Sequence, residues 1–145
     1  MPTAYSSTVL DAPVERVWEK LRDFNGLAGW HPAVADSMIE DGKPADQLGC
    51  VRVLTLKDGA EIVERLVAQS DEERSYSYAI LSGPFPVTNY RSTLRAKPVT
   101  DTGQTFVEWF SSFDCEAGQA DQARGIFEGA VYKGGLDALK VHFGG

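Results

Sequence analysis

The chain has 145 residues, 43% of them hydrophobic and 24% charged, the proportions of one ordinary globular domain with its own core. Its 21 acidic residues outweigh 14 basic ones, for a net charge of −7, and no Lys/Arg cluster interrupts that balance. The balance speaks against a phosphate-binding surface, so neither nucleic acid nor an anionic membrane is an expected partner.

The opening Met1-Pro2-Thr3-Ala4-Tyr5-Ser6-Ser7 has no basic stretch leading into an apolar run. No apolar run reaches the length of a membrane span, so a cytoplasmic protein without stable membrane insertion is expected. Cys50 and Cys115 lie far apart without metal-type spacing and read as reduced, half-buried strand thiols.

Thr3 to Leu10 reads as a strand. Asp11-Ala12-Pro13 then opens a helix, since proline at the first helical position has no N–H to lose. Val14, Val17, Trp18 and Leu21 give that helix an apolar face, and Asn25-Gly26 ends or breaks it. A second short helix is expected over Leu27 to Trp30, stopping before His31-Pro32.

From there the period changes to two. Strands are expected at Val34–Ile39, Val51–Leu56, Ile62–Ala68, Ser75–Leu81, Val87–Lys97 and Thr105–Cys115. Lys57-Asp58-Gly59, Ser70-Asp71-Glu72-Glu73 and Ser82-Gly83-Pro84 punctuate them as turns. Short polar connections between successive strands suggest an antiparallel meander.

The last stretch, Gln119 to Phe143, has helical spacing at Ala123, Phe127, Ala130, Gly134, Ala138 and Val141. It also holds Gly125, Gly129, Gly134 and Gly135, each costing an α-helix about 1 kcal/mol against alanine. A close approach to a sheet, room left for something beside the helix, or a kink at Gly134-Gly135 would each account for them. The fold class is α+β, one domain over residues 1–145, with about seven strands around one long helix. One helix cannot fill a strongly bent sheet of that length, and a cavity is the consequence.

This order of elements resembles the helix-grip fold of the START and birch-pollen-allergen-like superfamily, also called the polyketide cyclase/dehydrase and lipid-transport group. The stretches that carry the resemblance are Asp11-Ala12-Pro13-Val14-Glu15-Arg16-Val17-Trp18, Trp30-His31-Pro32 and Gly135-Leu136-Asp137-Ala138-Leu139-Lys140. Ile62-Val63-Glu64-Arg65-Leu66, Asp71-Glu72-Glu73-Arg74 and Thr88-Asn89-Tyr90-Arg91-Ser92 are similar to the plant abscisic-acid receptors of that superfamily. The resemblance implies a ligand cavity between the concave sheet and the last helix, with loops at Asp58-Gly59 and Gly83-Pro84-Phe85-Pro86 at its mouth. Lys57-Asp58-Gly59-Ala60 lacks the receptors' gate sequence, Phe85-Pro86 stands where they have a basic latch, and His31 takes the position of their carboxylate-binding lysine.

The resemblance turns Glu64 inward, and strand parity then takes Ile62, Leu66 and Ala68 with it. By the same rule Tyr76, Tyr78 and Ile80 form one inward set, Tyr90, Ser92 and Leu94 another, and Trp109, Ser111 and Phe113 the last. Arg65, Arg91, Arg95 and Glu108 fall on the solvated side. Arg52 alternates with Leu54 and Leu56; facing inward it would pair with Glu64, but a partly exposed position is expected.

Glu64 is the sharpest candidate. On an apolar wall its carboxyl would have a raised pKa and serve as acid, base or ligand anchor; facing water it would do none of these. His31, one of two histidines, is either a proton shuttle near Glu64 or a packed loop residue, and His142 is expected in solvent. Tyr78 and Tyr90 would offer hydroxyls; Leu66, Ile80, Phe85, Trp109 and Phe127 apolar surface; and Ser111 a further polar contact.

No metal constellation, nucleophile elbow, Walker loop or dinucleotide fingerprint is present in the sequence, so no cofactor is indicated. The leading reading is a carrier or sensor of a small hydrophobic or amphipathic molecule, acting as a monomer or weak homodimer. The alternative is a polyketide cyclase/dehydratase-like enzyme with Glu64 and His31 as acid/base groups. A regulatory module presenting Phe85 to a protein partner ranks third.

Overall fold

The computed structural model describes residues 1–144. Strand β1 (Thr3–Leu10) leads into helix α1 (Val14–Leu21), which follows Pro13 and buries Val14, Val17, Trp18 and Leu21, the face expected from their spacing. A 3₁₀ helix covers Phe24–Gly29, starting earlier than the expected Leu27. Asp23 explains the shift: its carboxylate accepts from the Asn25 N–H at 3.1 Å and caps the segment, so Asn25-Gly26 lies inside it.

Strands β2 (Val34–Ile39), β3 (Val51–Leu56), β4 (Glu61–Ser70), β5 (Ser75–Ser82), β6 (Thr88–Pro98) and β7 (Thr105–Asp114) follow. They form a seven-stranded sheet ordered β1-β7-β6-β5-β4-β3-β2, with every neighbouring pair antiparallel. Strands β2 to β7 are the expected meander, and β1 returns the N-terminus to the free side of β7.

The β3–β4 hairpin sets the register that matters most. Gly59 takes φ 92°, a left-handed conformation that glycine adopts without strain, and its N–H donates to Leu56 O at 2.9 Å. That turn puts Arg52 opposite Glu64 and Leu54 opposite Ile62, and all four are buried. Further along β4 the register shifts between Leu66 and Ala68. The bulge reverses the parity there, so Gln69 rather than Ala68 pairs with inward-facing Tyr76. Ala68 therefore leaves the inward set in which strict alternation places it.

The C-terminal helix runs unbroken through α2 (Ala120–Ile126), a π-helical segment (Phe127–Lys133) and α3 (Gly134–Phe143). Its buried side chains, among them Ala123, Phe127, Tyr132, Leu136 and Leu139, face the inner side of the sheet. Tyr132 stacks on Trp109 of β7 with ring centres 4.8 Å apart, and Phe127 packs on Tyr90 of β6 at 4.6 Å. A seven-stranded antiparallel sheet closed by one long helix is the helix-grip arrangement.

Three expectations need correction. Arg52 is fully buried, not partly exposed, because the hairpin register points it at Glu64. Glu108 is on the outer side of the sheet but nearly buried, since it accepts from the Tyr5 hydroxyl at 2.8 Å and from Arg95 Nε at 2.9 Å. Cys50 is fully rather than half buried, and both cysteines are free and stand just outside strands β3 and β7. His142 is exposed.

Candidate functional site

Inside the grip lies a partly open cavity of about 240 Å³. Its floor is β3 to β7, through Leu54, Ile62, Glu64, Tyr78, Tyr90 and Trp109; Ile126, Phe127, Ala130 and Val131 of the last helix close it. His31, Ile80 and Phe85 also line it. Leu66 and Ser111, grouped with this wall by parity, are buried but do not line the cavity. Parity names the face a side chain is on, not whether another side chain stands in front of it. Leu27, Val34 and Leu56 line the cavity without having been singled out in the sequence.

Glu64 is held by Arg52. Arg52 Nε donates to Glu64 Oε1 at 2.8 Å, Nη1 donates to Phe24 O, and Nη2 lies 2.7 Å from the same Oε1 without the alignment of a hydrogen bond. The guanidinium carbon lies over the Phe24 ring, 3.9 Å from its centre, and 5.1 Å from the centre of the Tyr78 ring. Burial pushes the Glu64 carboxyl up from its ordinary value and Arg52 pulls it part of the way back. Burial works against the Arg52 charge, but Glu64 and the two tyrosines outweigh it and hold the guanidinium above its ordinary value. Arg52 is thus always charged, and a neutral Glu64 would strand that charge in the core, so the pair is ionised at neutral pH.

His31 is engaged on both ring nitrogens. The Ala33 N–H donates to Nδ1 at 3.1 Å, so the proton is on Nε2, which donates to Val131 O at 2.7 Å. That carbonyl belongs to the π-helical segment. His31 ties the loop before β2 to the helix that roofs the cavity. Burial lowers its pKa, the Val131 hydrogen bond opposes that, and the nearby Arg52 charge adds to it.

Gly135 makes this tie possible. A Cβ there would meet His31 Cδ2 at 2.7 Å and Trp109 Cζ3 at 2.9 Å, closer than side-chain carbons approach. Gly125 and Gly129 have nothing within 4 Å of such a Cβ. Only Gly135 answers the close-approach reading, and the backbone stays helical at Gly134 (φ −57°, ψ −44°), directly after the π segment.

Behind the cavity wall runs a chain of hydroxyls. Trp109 Nε1 donates to Tyr78 Oη at 3.2 Å and to Ser92 Oγ at 3.1 Å; Ser92 Oγ also meets Tyr132 Oη at 3.2 Å, and Tyr132 bonds to Tyr90. Burial pushes the Tyr132 phenol up to about 12 and raises Tyr78 and Tyr90 well above their ordinary value, so all three are neutral. Tyr132 completes this chain from a helix position that the sequence reading did not single out.

Phe85 closes one side. Its ring lies 4.9 Å from Phe127, and beyond it a wider, open depression of about 590 Å³ runs between Pro86–Thr88 and Asp114–Gln119. The inner cavity, not this outer depression, is where Glu64, His31, Tyr78 and Tyr90 converge. Among the described residues, no group of three or more His, Cys, Asp or Glu side chains is placed to share a metal ion, and no helix is long and apolar enough to cross a membrane.

The sequence profile described as polyketide cyclase / dehydrase and lipid transport matches residues 1–144. The chain belongs to this family. Solved structures agree over the whole length. The protein XoxI from Bacillus cereus is 36% identical with a TM-score of 0.89, covering 99% of this chain and 96% of that one. An uncharacterized protein from Bacillus thuringiensis is also 36% identical, with a TM-score of 0.87, covering 97% and 98%. A protein from Thermobifida fusca, solved in solution, is 32% identical with a TM-score of 0.88, covering 99% and 94%. The polyketide cyclase/dehydrase and lipid-transport description joins enzymes and carriers under one fold, so the choice between them rests on this chain's own residues.

Proposed function

We propose that the chain binds a compact, mainly apolar small molecule in the cavity between sheet and C-terminal helix, as a carrier or sensor. One observation carries this reading: a largely aliphatic and aromatic chamber between sheet and helix into which a fixed ion pair presents a polar group. The lipid-transport part of the family description agrees with it. At about 240 Å³ the chamber falls below the usual range of about 300–1,000 Å³ for drug-sized ligands, so the molecule is small rather than a two-chain lipid.

The cyclase or dehydratase reading needs Glu64 and His31 to move protons. In this chain His31 spends its acceptor on Ala33 and its donor on Val131, and Glu64 is paired with Arg52. With both ring nitrogens taken, His31 has none free to exchange a proton with a ligand, and this favours binding over turnover.

Native mass spectrometry of the purified protein, followed by denaturing extraction, tests the proposal. A small apolar molecule retained in the native spectrum is the expected result. An apo mass, together with no uptake of naphthalene or a similar compact probe, overturns it.

A further inference from the structure

Glu64 meets Arg52 through one oxygen only. Both guanidinium contacts converge on Oε1. Among the described residues nothing donates to Oε2, nor is Oε2 one of the fully enclosed polar atoms left without a partner. It therefore keeps accessible surface, and Glu64 lines the cavity. An ionised oxygen inside an apolar chamber is expensive to leave without a donor.

A second polar group lines the same wall. Tyr78 Oη accepts from Trp109 Nε1, which leaves its own O–H without an acceptor among the described residues. The β4–β5 ladder sets Glu64 opposite Ile80 and Leu66 opposite Tyr78, so Glu64 and Tyr78 are diagonal neighbours on one wall. The cavity lining thus holds one open acceptor on β4 and one open donor on the neighbouring β5. Its charged lining is Asp58 and Glu64, with no lysine or arginine at the surface of the chamber.

Building on the ligand-binding reading, we infer that the cavity selects a compact apolar molecule bearing one uncharged hydroxyl, which donates to Glu64 Oε2 and accepts from the Tyr78 phenol. A hydroxyl is the smallest group that is donor and acceptor at once. A carboxylate brings acceptors only and meets two like charges with no cation to offset them. An ammonium brings donors only and leaves the Tyr78 O–H unmatched. An alcohol or phenol on a small ring system or short branched chain satisfies both groups and fills the apolar remainder.

The test uses the full chain and four probes on one skeleton at pH 7: naphthalene, 2-naphthol, 2-naphthoate and 2-naphthylmethylammonium, titrated by calorimetry. The expected order has 2-naphthol at least about fivefold tighter than naphthalene, as a net hydrogen-bond gain of about 1 kcal/mol gives. The carboxylate binds at least about a hundredfold more weakly than 2-naphthol, since juxtaposed like charges cost several kcal/mol. Tyr78→Phe lowers the preference for 2-naphthol over naphthalene. This variant spares the fold because Trp109 Nε1 keeps Ser92 Oγ at 3.1 Å. Naphthalene binding as tightly as 2-naphthol, or the carboxylate or ammonium matching it, overturns the hydroxyl inference while ligand binding stands. No binding by any of the four overturns both.

Discussion

His31 is held neutral by its neighbours, with Nδ1 accepting from Ala33 and Nε2–H donating to Val131. Burial keeps its pKa below the ordinary 6.5. Above that value both folded and unfolded chains carry a neutral imidazole, and the shift has no effect on stability. As pH falls below 6.5 the unfolded chain takes up the proton first, so the unfolded state binds more protons and stability drops until the folded pKa is passed. Urea midpoints measured at pH 7.5 and 5.5 are expected to fall on acidification in the native sequence. The fall is expected to be smaller in His31→Gln, whose amide also offers one donor and one acceptor. An equal fall in both proteins would mean that His31 does not sense pH. The Arg52–Glu64 pair shows what was readable at this scale. The turn at Lys57-Asp58-Gly59 and the option of an Arg52–Glu64 pair are legible in the sequence; the register that realises the pair is seen in β3 and β4. What the sequence leaves out is burial: alternation with Leu54 and Leu56 fits a half-exposed edge as well as the fully buried arginine observed.

The C-terminal helix turns on the different roles of its glycines. Gly135 lets the helix approach His31 and Trp109, whereas Gly125 is exposed with open space where a Cβ would stand. Gly135→Ala is expected to cost about 1–3 kcal/mol, the range for forcing an extra carbon into a packed site, and to loosen the His31–Val131 tie. Gly125→Ala is expected to raise stability by up to about 1 kcal/mol, the helix-propensity difference alone. Thermal unfolding of the two variants side by side checks the contrast; equal destabilisation would remove the distinction between them. The same helix marks a limit of periodicity. Ala123, Phe127, Ala130 and Gly134 fit a 3.6-residue repeat well enough to predict one helix, but the π segment over Phe127–Lys133 slips the face without disturbing that pattern. The β4 bulge between Leu66 and Ala68 escapes strand parity in the same way, because alternation assumes an uninterrupted pleat. Existence, order and direction of the strands were legible because turn residues and two-residue alternation are local signals. One-residue slips inside an element are decided by its packing partners.

At the scale of the whole molecule the sheet and helix enclose space that the side chains do not fill, and Phe85 separates it from the open depression outside. Phe85 is half-buried and stands on a loop between β5 and β6, packed against Phe127 across the mouth. Phe85 packs against the edge of the core rather than within it, so removing its ring is expected to cost less stability than truncating a fully buried phenylalanine, while connecting chamber and depression. A ligand bound only by the folded chain adds about 2.7 kcal/mol of stability at a hundredfold excess over its dissociation constant. For a chain of this length that is roughly 5–10 °C in unfolding temperature. In the native sequence 2-naphthol at that excess is expected to produce such a rise. In Phe85→Ala the rise at the same concentration is expected to shrink, and stopped-flow displacement of bound 2-naphthol to become faster. A slower or unchanged displacement would place the ligand's exit elsewhere, next along the Asp58 turn, which also borders the chamber. The two outcomes divide cleanly, because the turn and the Phe85 loop belong to different hairpins, and the Phe85 loop lies outside the hairpin that holds the Arg52–Glu64 pair.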